Sequence, residues 1–289
     1  MLLVLLLWPA IGLAKPVPVA ATIGLIADMV AQVGGPLVQV SAIVPANAEP
    51  HSFEPKPSSL RNLQAAKLLF ANGAGFEPFL GKLRAYLPKG ATVVLLAEGQ
   101  LDPGCVEAGR EGSNQQAETC NPHYWLDPGY GLRYLERIRQ ALAQADPVNA
   151  AAYTARARAY SEQIKAVDRE TQACLKAIPT AARKVVVQHD AFLHLARKYQ
   201  ITVVGSLANF GGQELGTQSY VRLALQMKQE GIKVIFAEPQ FSQAQVKALQ
   251  EASGARVYTL YSDSLSKDVP GYLQLLRWNS RTLCQAFAM

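Results

Sequence analysis

Short apolar segments alternate with helical patterns along the chain. Each segment is six to eight residues long and rich in β-branched and aliphatic residues, which is typical of strands in a buried parallel sheet. The segments lie at residues 19–24, 37–44, 67–72 and 91–98, and again at 184–190, 201–207, 233–239 and 256–263. This alternation indicates βα units. We therefore predict an α/β protein with two lobes, each with a central, mostly parallel sheet flanked by helices.

One long helix is predicted between the two lobes. Residues 147–178 are rich in Ala, Arg, Gln, Glu and Lys, and no Gly or Pro interrupts the run after Pro147. Apolar side chains recur at helical spacing at Tyr153, Ala157, Tyr160, Ile164, Val167 and Leu175. Asp146 and Pro147 form a good helix start and Pro179 a good stop.

The predicted boundaries are 15–145 for the N-terminal lobe, 146–179 for the linking helix and 180–289 for the C-terminal lobe. A single helix of this length spans roughly 48 Å at about 1.5 Å per residue, enough to run the height of both lobes and limit their relative motion. Two shorter helices with an unnoticed break are the alternative.

The N-terminus resembles a secretory signal peptide. Residues 1–14 form an uncharged apolar stretch that is too short to cross a bilayer and ends in Ala14. No Lys or Arg precedes the stretch and Pro9 lies within it, so a buried N-terminal element is the alternative. No Cys follows the stretch, and no other segment reaches about 18 consecutive apolar residues. We expect an exported, soluble periplasmic protein without a lipid anchor.

Composition and charge exclude two other classes of protein. Of the 289 residues, 49% are hydrophobic and 17% are charged, which excludes an intrinsically disordered chain. The formal net charge is +6, but Lys and Arg are spread along helical segments and form no cluster. No nucleic-acid partner is therefore expected, and we expect a monomer.

Four cysteines fit an oxidising compartment. Cys105 and Cys120 bracket a Gly-, Glu- and Asn-rich segment without apolar periodicity, so they are the favoured disulfide pair. Cys174 and Cys284 lie in helical patterns and either form a second bridge or stay buried thiols. No CxxC or Cys/His ligand spacing occurs, which excludes a zinc finger.

Three histidines and one aspartate occupy strand ends or loops where a ligand site is expected. His51 follows a predicted strand, His123 lies in a Pro-flanked loop, and His189 and Asp263 each end a predicted strand. In open α/β sheets ligands bind outside the carboxyl ends of the strands. Three imidazoles and one carboxylate form a tetrahedral set suited to Zn²⁺, whereas an all-oxygen set would favour Ca²⁺ or Mg²⁺.

Three further polar residues are candidates for supporting these four. Glu238 ends a predicted strand and is expected to orient a ligand imidazole, with a simple surface carboxylate as the alternative. Asp127 is a second candidate for orienting a ligand imidazole. His194, five residues after His189, is expected to pack or to support the site from behind the ligands.

The segments around these residues resemble, in order and spacing, the periplasmic zinc and manganese solute-binding proteins of ABC importers (the cluster A-I metal-binding family, zinc type). The four ligand motifs of that family are matched by EPHSFEPKPSSL, NPHYWLDP, VVQHDAFLHLARKYQ and LYSDSL. Its interdomain helix and a strand of its last lobe are matched by DPVNAAAYTARARAYSEQI and IFAEPQFS. The resemblance covers nearly the whole chain after residue 14.

This resemblance implies one divalent metal ion in the cleft between two lobes, with His51, His123, His189 and Asp263 as its ligands. It also implies an ABC transporter membrane permease as the partner. Manganese binders of the family commonly carry a glutamate where this sequence has His189, so Zn²⁺ is favoured and Mn²⁺ is the alternative.

The sequence departs from the family pattern at three places. One is the loop at residues 211–218, which lacks an expected Pro-rich form. Many zinc members insert a long His-rich acidic loop before the second ligand motif, whereas residues 100–120 contain no histidine. We therefore expect no loop that scavenges metal ions. Whether a metallochaperone loads the metal into this protein stays open. His194 stands where an aromatic residue is usual, which leaves open an alternate ligand or an altered tuning of the site.

The predicted function is capture of Zn²⁺ outside the cytoplasmic membrane and delivery to the permease, without enzyme activity. Four protein ligands leave no open position for an activated water. Affinity is expected to fall below about pH 6.5, because imidazole must be neutral to bind a metal. Release is expected to begin with Asp263, on the side of the C-terminal lobe.

Three other functions stay open. An exported zinc hydrolase would use Asp263 or Glu238 as general base. An adhesin with the same fold lacks support, since no cell-wall-like tail is present. A binder of a chelated metal or an organic ligand would use Tyr124, Trp125 and Phe53 in the cleft, although packing is the role expected of these aromatic residues.

Overall fold

The structure is a computed structural model that describes residues 15–46, 48–99 and 121–288. The signal-peptide prediction for residues 1–14 and the predicted Cys105–Cys120 bridge lie outside these residues. The strands are β1 (Val17–Ala21), β2 (Val38–Ala42), β3 (Leu68–Ala71), β4 (Thr92–Leu95), β5 (Lys184–His189), β6 (Thr202–Ala208), β7 (Val234–Ala237) and β8 (Arg256–Thr259). The helices are α1 (Gly24–Gly34), α2 (Pro57–Leu60), α3 (Leu80–Arg84), α4 (Pro128–Ala145), α5 (Ala150–Lys176), α6 (Leu193–Tyr199), α7 (Thr217–Glu230), α8 (Ala244–Ser253) and α9 (Tyr272–Phe287).

Each predicted apolar segment overlaps one strand, and the strands form two parallel sheets. The first sheet has the order β2-β1-β3-β4 and the second the equivalent order β6-β5-β7-β8. Strands β3, β5 and β7 are buried almost throughout, as expected of parallel strands covered by helices on both faces. In each sheet the chain runs outward in opposite directions from the two inner strands, which opens a crevice at their carboxyl ends. The α/β prediction with two lobes is thus confirmed.

The last predicted strand is shorter than its sequence pattern suggests. Strand β8 ends at Thr259, so Asp263 lies in the following segment and does not end the strand. The strand ends early because of the side chain of Asn279. The amide nitrogen of Tyr261 donates to Asn279 Oδ1 over 2.9 Å and not to a carbonyl of the sheet. Asn279 also donates to the Tyr261 carbonyl over 2.7 Å. This pair turns the chain away from the sheet before Asp263.

Helix α5 is the single continuous helix predicted between the sheets. It has 27 residues and is preceded by a 3₁₀ turn at Pro147–Asn149, so the α-helix is shorter than the predicted 146–179. The turn is held by Asp146, whose carboxylate accepts from Asn149 Nδ2 and from Tyr153 OH over 2.7 Å each. At about 1.5 Å per residue the helix spans about 40 Å. All six apolar positions predicted from the helical spacing are buried.

The last helix joins both lobes to α5. A disulfide between Cys174 and Cys284 links α5 to α9, with 5.9 Å between the Cα atoms. Asp28 on α1 caps α9, because its Oδ2 accepts from the amide nitrogen of Tyr272 over 2.8 Å. Helices α1 and α4 pack on α5 from the first lobe and α9 from the second, and one hydrophobic core runs through both lobes. No helix in the described ranges is long and apolar enough to cross a bilayer.

Candidate metal centre

Four side chains from four separate segments meet where the carboxyl ends of the two sheets face each other. His51 lies on the loop after β2, His123 precedes a short 3₁₀ turn before α4, His189 ends β5, and Asp263 follows β8. One potential ligand atom from each lies within 4.8 Å of the others, and this is the one such His, Cys or acidic group found in the described residues. The structure therefore brings together all four predicted residues.

The distances between the four side chains suit a small tetrahedral ion. His51 Nε2 is 3.2 Å from His123 Nε2, and Asp263 lies 3.2 Å from His123 Nε2 and 3.6 Å from His51 Nε2. A tetrahedral zinc site with bonds of about 2.0–2.1 Å has donor atoms about 3.3 Å apart. His189 is farther out, with 3.9 Å between its Nδ1 and Asp263 Oδ2.

The ring of His123 is oriented by the side chain of Asn121. The amide oxygen Oδ1 lies 2.8 Å from His123 Nδ1 and also accepts from the His123 amide nitrogen over 3.2 Å. An amide oxygen accepts hydrogen bonds and cannot donate, so Nδ1 must carry the ring proton. The unprotonated Nε2 of His123 therefore faces Asp263.

His189 has protein acceptors on both ring nitrogens. Its Nδ1 lies 3.4 Å from Glu238 Oε1, and its Nε2 lies 3.1 Å from the Phe210 carbonyl. Glu238 is fully buried and also accepts from Ser262 Oγ and from Gln240 Nε2. Glu238 thus contacts a predicted ligand, as expected, and His189 must release one of its two partners to bind a metal ion.

The site is buried and lined by aromatic rings. His123, His189 and Asp263 are buried and His51 is nearly so. Phe76 lies edge-on to His51 with ring centroids 4.7 Å apart, and Phe241 is 5.1 Å from His189. A low dielectric strengthens every charge interaction inside the site.

The pKa values of the site differ in direction. Burial lowers the pKa of His123 to about 3, so this ring is neutral. Burial also acts to lower the pKa of His189, but the charge and hydrogen bond of Glu238, with Asp263, raise it to about 10. For Asp263, burial acts to raise the pKa, and the three imidazoles around it lower it well below its ordinary value. Asp263 is therefore ionised and His189 carries a proton in the absence of metal.

His194 and Asp127 lie outside the group of four central residues and make other contacts. His194 Nε2 donates to the Asn121 carbonyl over 2.8 Å, and its ring stacks on Tyr124 with centroids 4.1 Å apart. It supports the residue that orients His123. Asp127 is the N-cap of α4, because its Oδ1 accepts from the Gly129 amide nitrogen over 2.7 Å. Its hydrogen bond therefore serves the helix and not a predicted ligand.

Two residues at the site were missed by the sequence analysis. Asn121 is one, and Glu49 is the other: Glu49 Oε1 accepts from the His51 amide nitrogen over 2.8 Å. Burial, and next the charge of Asp263, raise the pKa of Glu49. Its signal in the sequence is an acidic residue two positions before His51 in the same Pro-rich loop. Tyr124 and Trp125, considered above as cleft aromatics, are instead fully buried in the core.

Comparison with known proteins gives consistent matches over the whole described chain. The family model ZnuA, described as zinc-uptake complex component A, periplasmic, matches residues 19–286. The iron-binding protein YfeA of Yersinia pestis is 31% identical over 279 residues, which cover 95% of this chain and 87% of YfeA. The manganese ABC transporter substrate-binding lipoprotein PsaA of Streptococcus pneumoniae is 24% identical over 92% of this chain and 87% of PsaA.

Two solved structures match the fold closely. A Mn-bound periplasmic metal-binding protein from Candidatus Liberibacter asiaticus has a TM-score of 0.81 and 27% identity, with 93% of this chain and 98% of that chain covered. A zinc-bound ZnuA deletion mutant has a TM-score of 0.80 and 28% identity, with 95% and 99% covered. The names of these proteins include iron, manganese and zinc, so the comparisons leave the metal undecided.

Proposed function

The chain belongs to the ZnuA family of periplasmic zinc-uptake components, and on this premise we propose that it captures one Zn²⁺ ion and delivers it to an ABC permease. It is a metal-binding, periplasmic substrate-binding protein of an ABC transporter, and such family members are transport proteins and not enzymes. The proposal adds the identity of the metal and its ligands, His51, His123, His189 and Asp263.

One observation carries this proposal: acceptor atoms converge in the centre of the site without enough donors. Both carboxylate oxygens of Asp263 are buried and have no hydrogen-bond donor among the described residues. The unprotonated Nε2 of His123 faces one of them over 3.2 Å. Buried acceptors that lack donors are costly. A cation between them removes that penalty and accounts for all three atoms.

The donor set favours zinc. Three imidazole nitrogens and one carboxylate match the borderline-soft, tetrahedral preference of Zn²⁺. The carboxylate supplies one balancing charge inside a buried site. All four tetrahedral positions are then filled by protein, so no position is left for an activated water, as the hydrolase alternative requires.

Manganese or iron is the second candidate, and a specific observation favours it. One oxygen each of Glu49 and Glu238 is buried and has no hydrogen-bond partner among the described residues. Mn²⁺ prefers more oxygen ligands and a higher coordination number than Zn²⁺ does. These two carboxylates would supply such ligands if the site widened.

The proposal includes a partner, a location and an assembly state. The protein would act as a monomer of two lobes, residues 15–145 and 180–289, with the linking segment 146–179 between them. It would bind a membrane permease after it has taken up the metal, either directly from solution or from a metallochaperone. PsaA is named a lipoprotein, so the absence of a lipid anchor stays a prediction.

Elemental analysis together with competitive titration tests the proposal. Wild-type protein purified with zinc and manganese both present is expected to hold one zinc per chain. His189→Ala is expected to lose zinc affinity by about 100-fold or more, since it removes a ligand. Stoichiometric manganese with little zinc would support the second candidate instead. No stoichiometric metal in wild type would refute capture by this site.

A further inference from the structure

Asn121 is bonded to both lobes at once. Its amide nitrogen donates to the carbonyl of Asp190, the residue after His189, over 2.5 Å. Its main-chain carbonyl accepts from His194 on α6. Its amide oxygen accepts from the backbone and from the ring of His123. One side chain therefore connects two of the predicted ligands, which lie 66 positions apart in the sequence.

Chemistry fixes which way the Asn121 amide points. The Asp190 carbonyl can only accept a hydrogen bond, so the group facing it must be the NH₂ of the amide. The backbone N–H of His123 can only donate, so the group facing it must be the amide oxygen. The two assignments agree with each other, and Asn121 is only 6% exposed, so water does not compete for these bonds.

We infer that Asn121 is a positioning residue that sets His123 and His189 in register across the cleft. Its oxygen holds the His123 ring with Nε2 toward the centre of the site, and its nitrogen holds the backbone beside His189. The inference rests on the proposed function, because it concerns the same metal site. It adds a residue that touches no metal but fixes the relative position of two ligands from different lobes.

The role requires an amide and no other side chain. An aspartate keeps the acceptor for His123 but loses the donor to the Asp190 carbonyl, and an alanine loses both. The two variants therefore separate the two halves of the role. Groups that orient ligand imidazoles typically change metal affinity by about 10- to 100-fold. Asn121→Ala is expected in that range, and Asn121→Asp is expected to keep a substantial part of the affinity.

A remote variant separates positioning from stability alone. Thr171 on α5 is buried, and its hydroxyl is hydrogen-bonded to Ser280 Oγ over 2.7 Å and to none of the four predicted ligands. Thr171→Val removes a buried hydrogen bond with little change of volume. It is expected to lower the unfolding midpoint and leave the zinc dissociation constant unchanged. A merely structural role of Asn121 would give the same result.

The experiment measures zinc affinity by chelator competition and the absorption spectrum of the Co²⁺-loaded protein, on wild type and the three variants. The expected result is a weakened zinc affinity and an altered Co²⁺ spectrum in Asn121→Ala, with partial rescue of both in Asn121→Asp. Zinc affinity of Asn121→Ala within twofold of wild type, or equal losses in both variants, would overturn the inference. If Asn121→Ala does not fold, wild-type affinity and spectrum in Asn121→Asp would overturn the nitrogen's role. A wild type without stoichiometric zinc would instead overturn the proposed function.

Discussion

Both lobes place a buried glutamate at the carboxyl ends of their inner strands, and the two glutamates are bonded differently. Glu77 belongs to the first lobe and Glu238 to the second, and both are almost fully buried. The donors to Glu77 are Thr22 Oγ1 at 2.6 Å, the amide nitrogen of Asn72 at 2.7 Å and that of Gly73 at 3.0 Å. Both oxygens of Glu77 are therefore in use, and they join the segments that follow β1 and β3.

Glu238 directly follows β7, whereas Glu77 comes six residues after β3, and Glu238 keeps a free oxygen. Its Oε1 faces His189, Ser262 and Gln240, whereas Oε2 has no donor among the described residues. Burial raises the pKa of both glutamates. The difference teaches that a buried glutamate near a sheet edge can be structural where its hydrogen bonds are complete and is available for a function where they are not.

Removal of Glu77 should give the largest effect. Glu77→Ala leaves three buried donors without an acceptor, so the free energy of unfolding should fall by about 3–5 kcal/mol. Urea unfolding of the metal-free protein measures this loss. The zinc affinity of the folded fraction should change by less than about tenfold, because the ligands stay in place. A loss below about 1 kcal/mol would show that the hydrogen bonds of Glu77 do not hold the lobe.

The pH dependence of zinc affinity should give the next largest effect. Burial acts to lower the pKa of His189, but Glu238 raises it to about 10. Below that pH zinc must therefore displace a proton from His189. Affinity should therefore rise by about tenfold per pH unit between about pH 7 and 9. This range lies above the value of about 6.5 expected from an ordinary histidine. His123, with a pKa of about 3, is neutral throughout and adds no slope.

Glu238→Gln is the variant that checks this cause. Loss of the carboxylate charge should lower the pKa of His189 and flatten the slope above neutral pH, as chelator competition at constant ionic strength would measure. Glu77→Gln is the matched control, since it removes the other buried carboxylate without touching a predicted ligand. An identical slope in wild type and Glu238→Gln would contradict the role given to Glu238.

Asp127 should give the smallest effect and extends the comparison to a third acidic residue. Asp127→Ala removes the N-cap of α4, so the free energy of unfolding should fall by about 1 kcal/mol. Thermal and urea unfolding measure the loss. The zinc dissociation constant should stay within about twofold of wild type, because the hydrogen bond of Asp127 goes to the helix. A larger change in affinity would restore the earlier expectation that it supports a ligand.

Much of the fold could be predicted from sequence because its signals are local. Buried parallel strands show as short apolar runs, and α5 shows as six apolar positions at helical spacing. The N-cap of α4 has the same kind of signal, since Asp127 and Pro128 repeat the Asp-Pro start seen at 146–147. The same rule applied to Asp127 predicts a helix start there, and not a support for the ligands.

The four residues at the centre of the site could be predicted from the sequence, whereas some of the residues around them could not. The four central residues follow strands or lie between prolines, so their places at the sheet edges could be predicted. Asn121 acts through the Asp190 carbonyl, 69 positions away, which no spacing reveals. Glu49 has only a weak signal, because an acidic residue two positions before His51 is not specific to a metal site. The end of β8 depends likewise on Asn279, which is 18 positions from Tyr261 in the chain.

The cap that Asp28 gives to α9 determines when the protein can finish folding. It joins residues 244 positions apart, and contacts of such long range are slow to form. Part of α5 stays uncovered until α9 packs on it. A chain that lacks its last helix is therefore expected to leave α5 open to proteases, even when both sheets have formed.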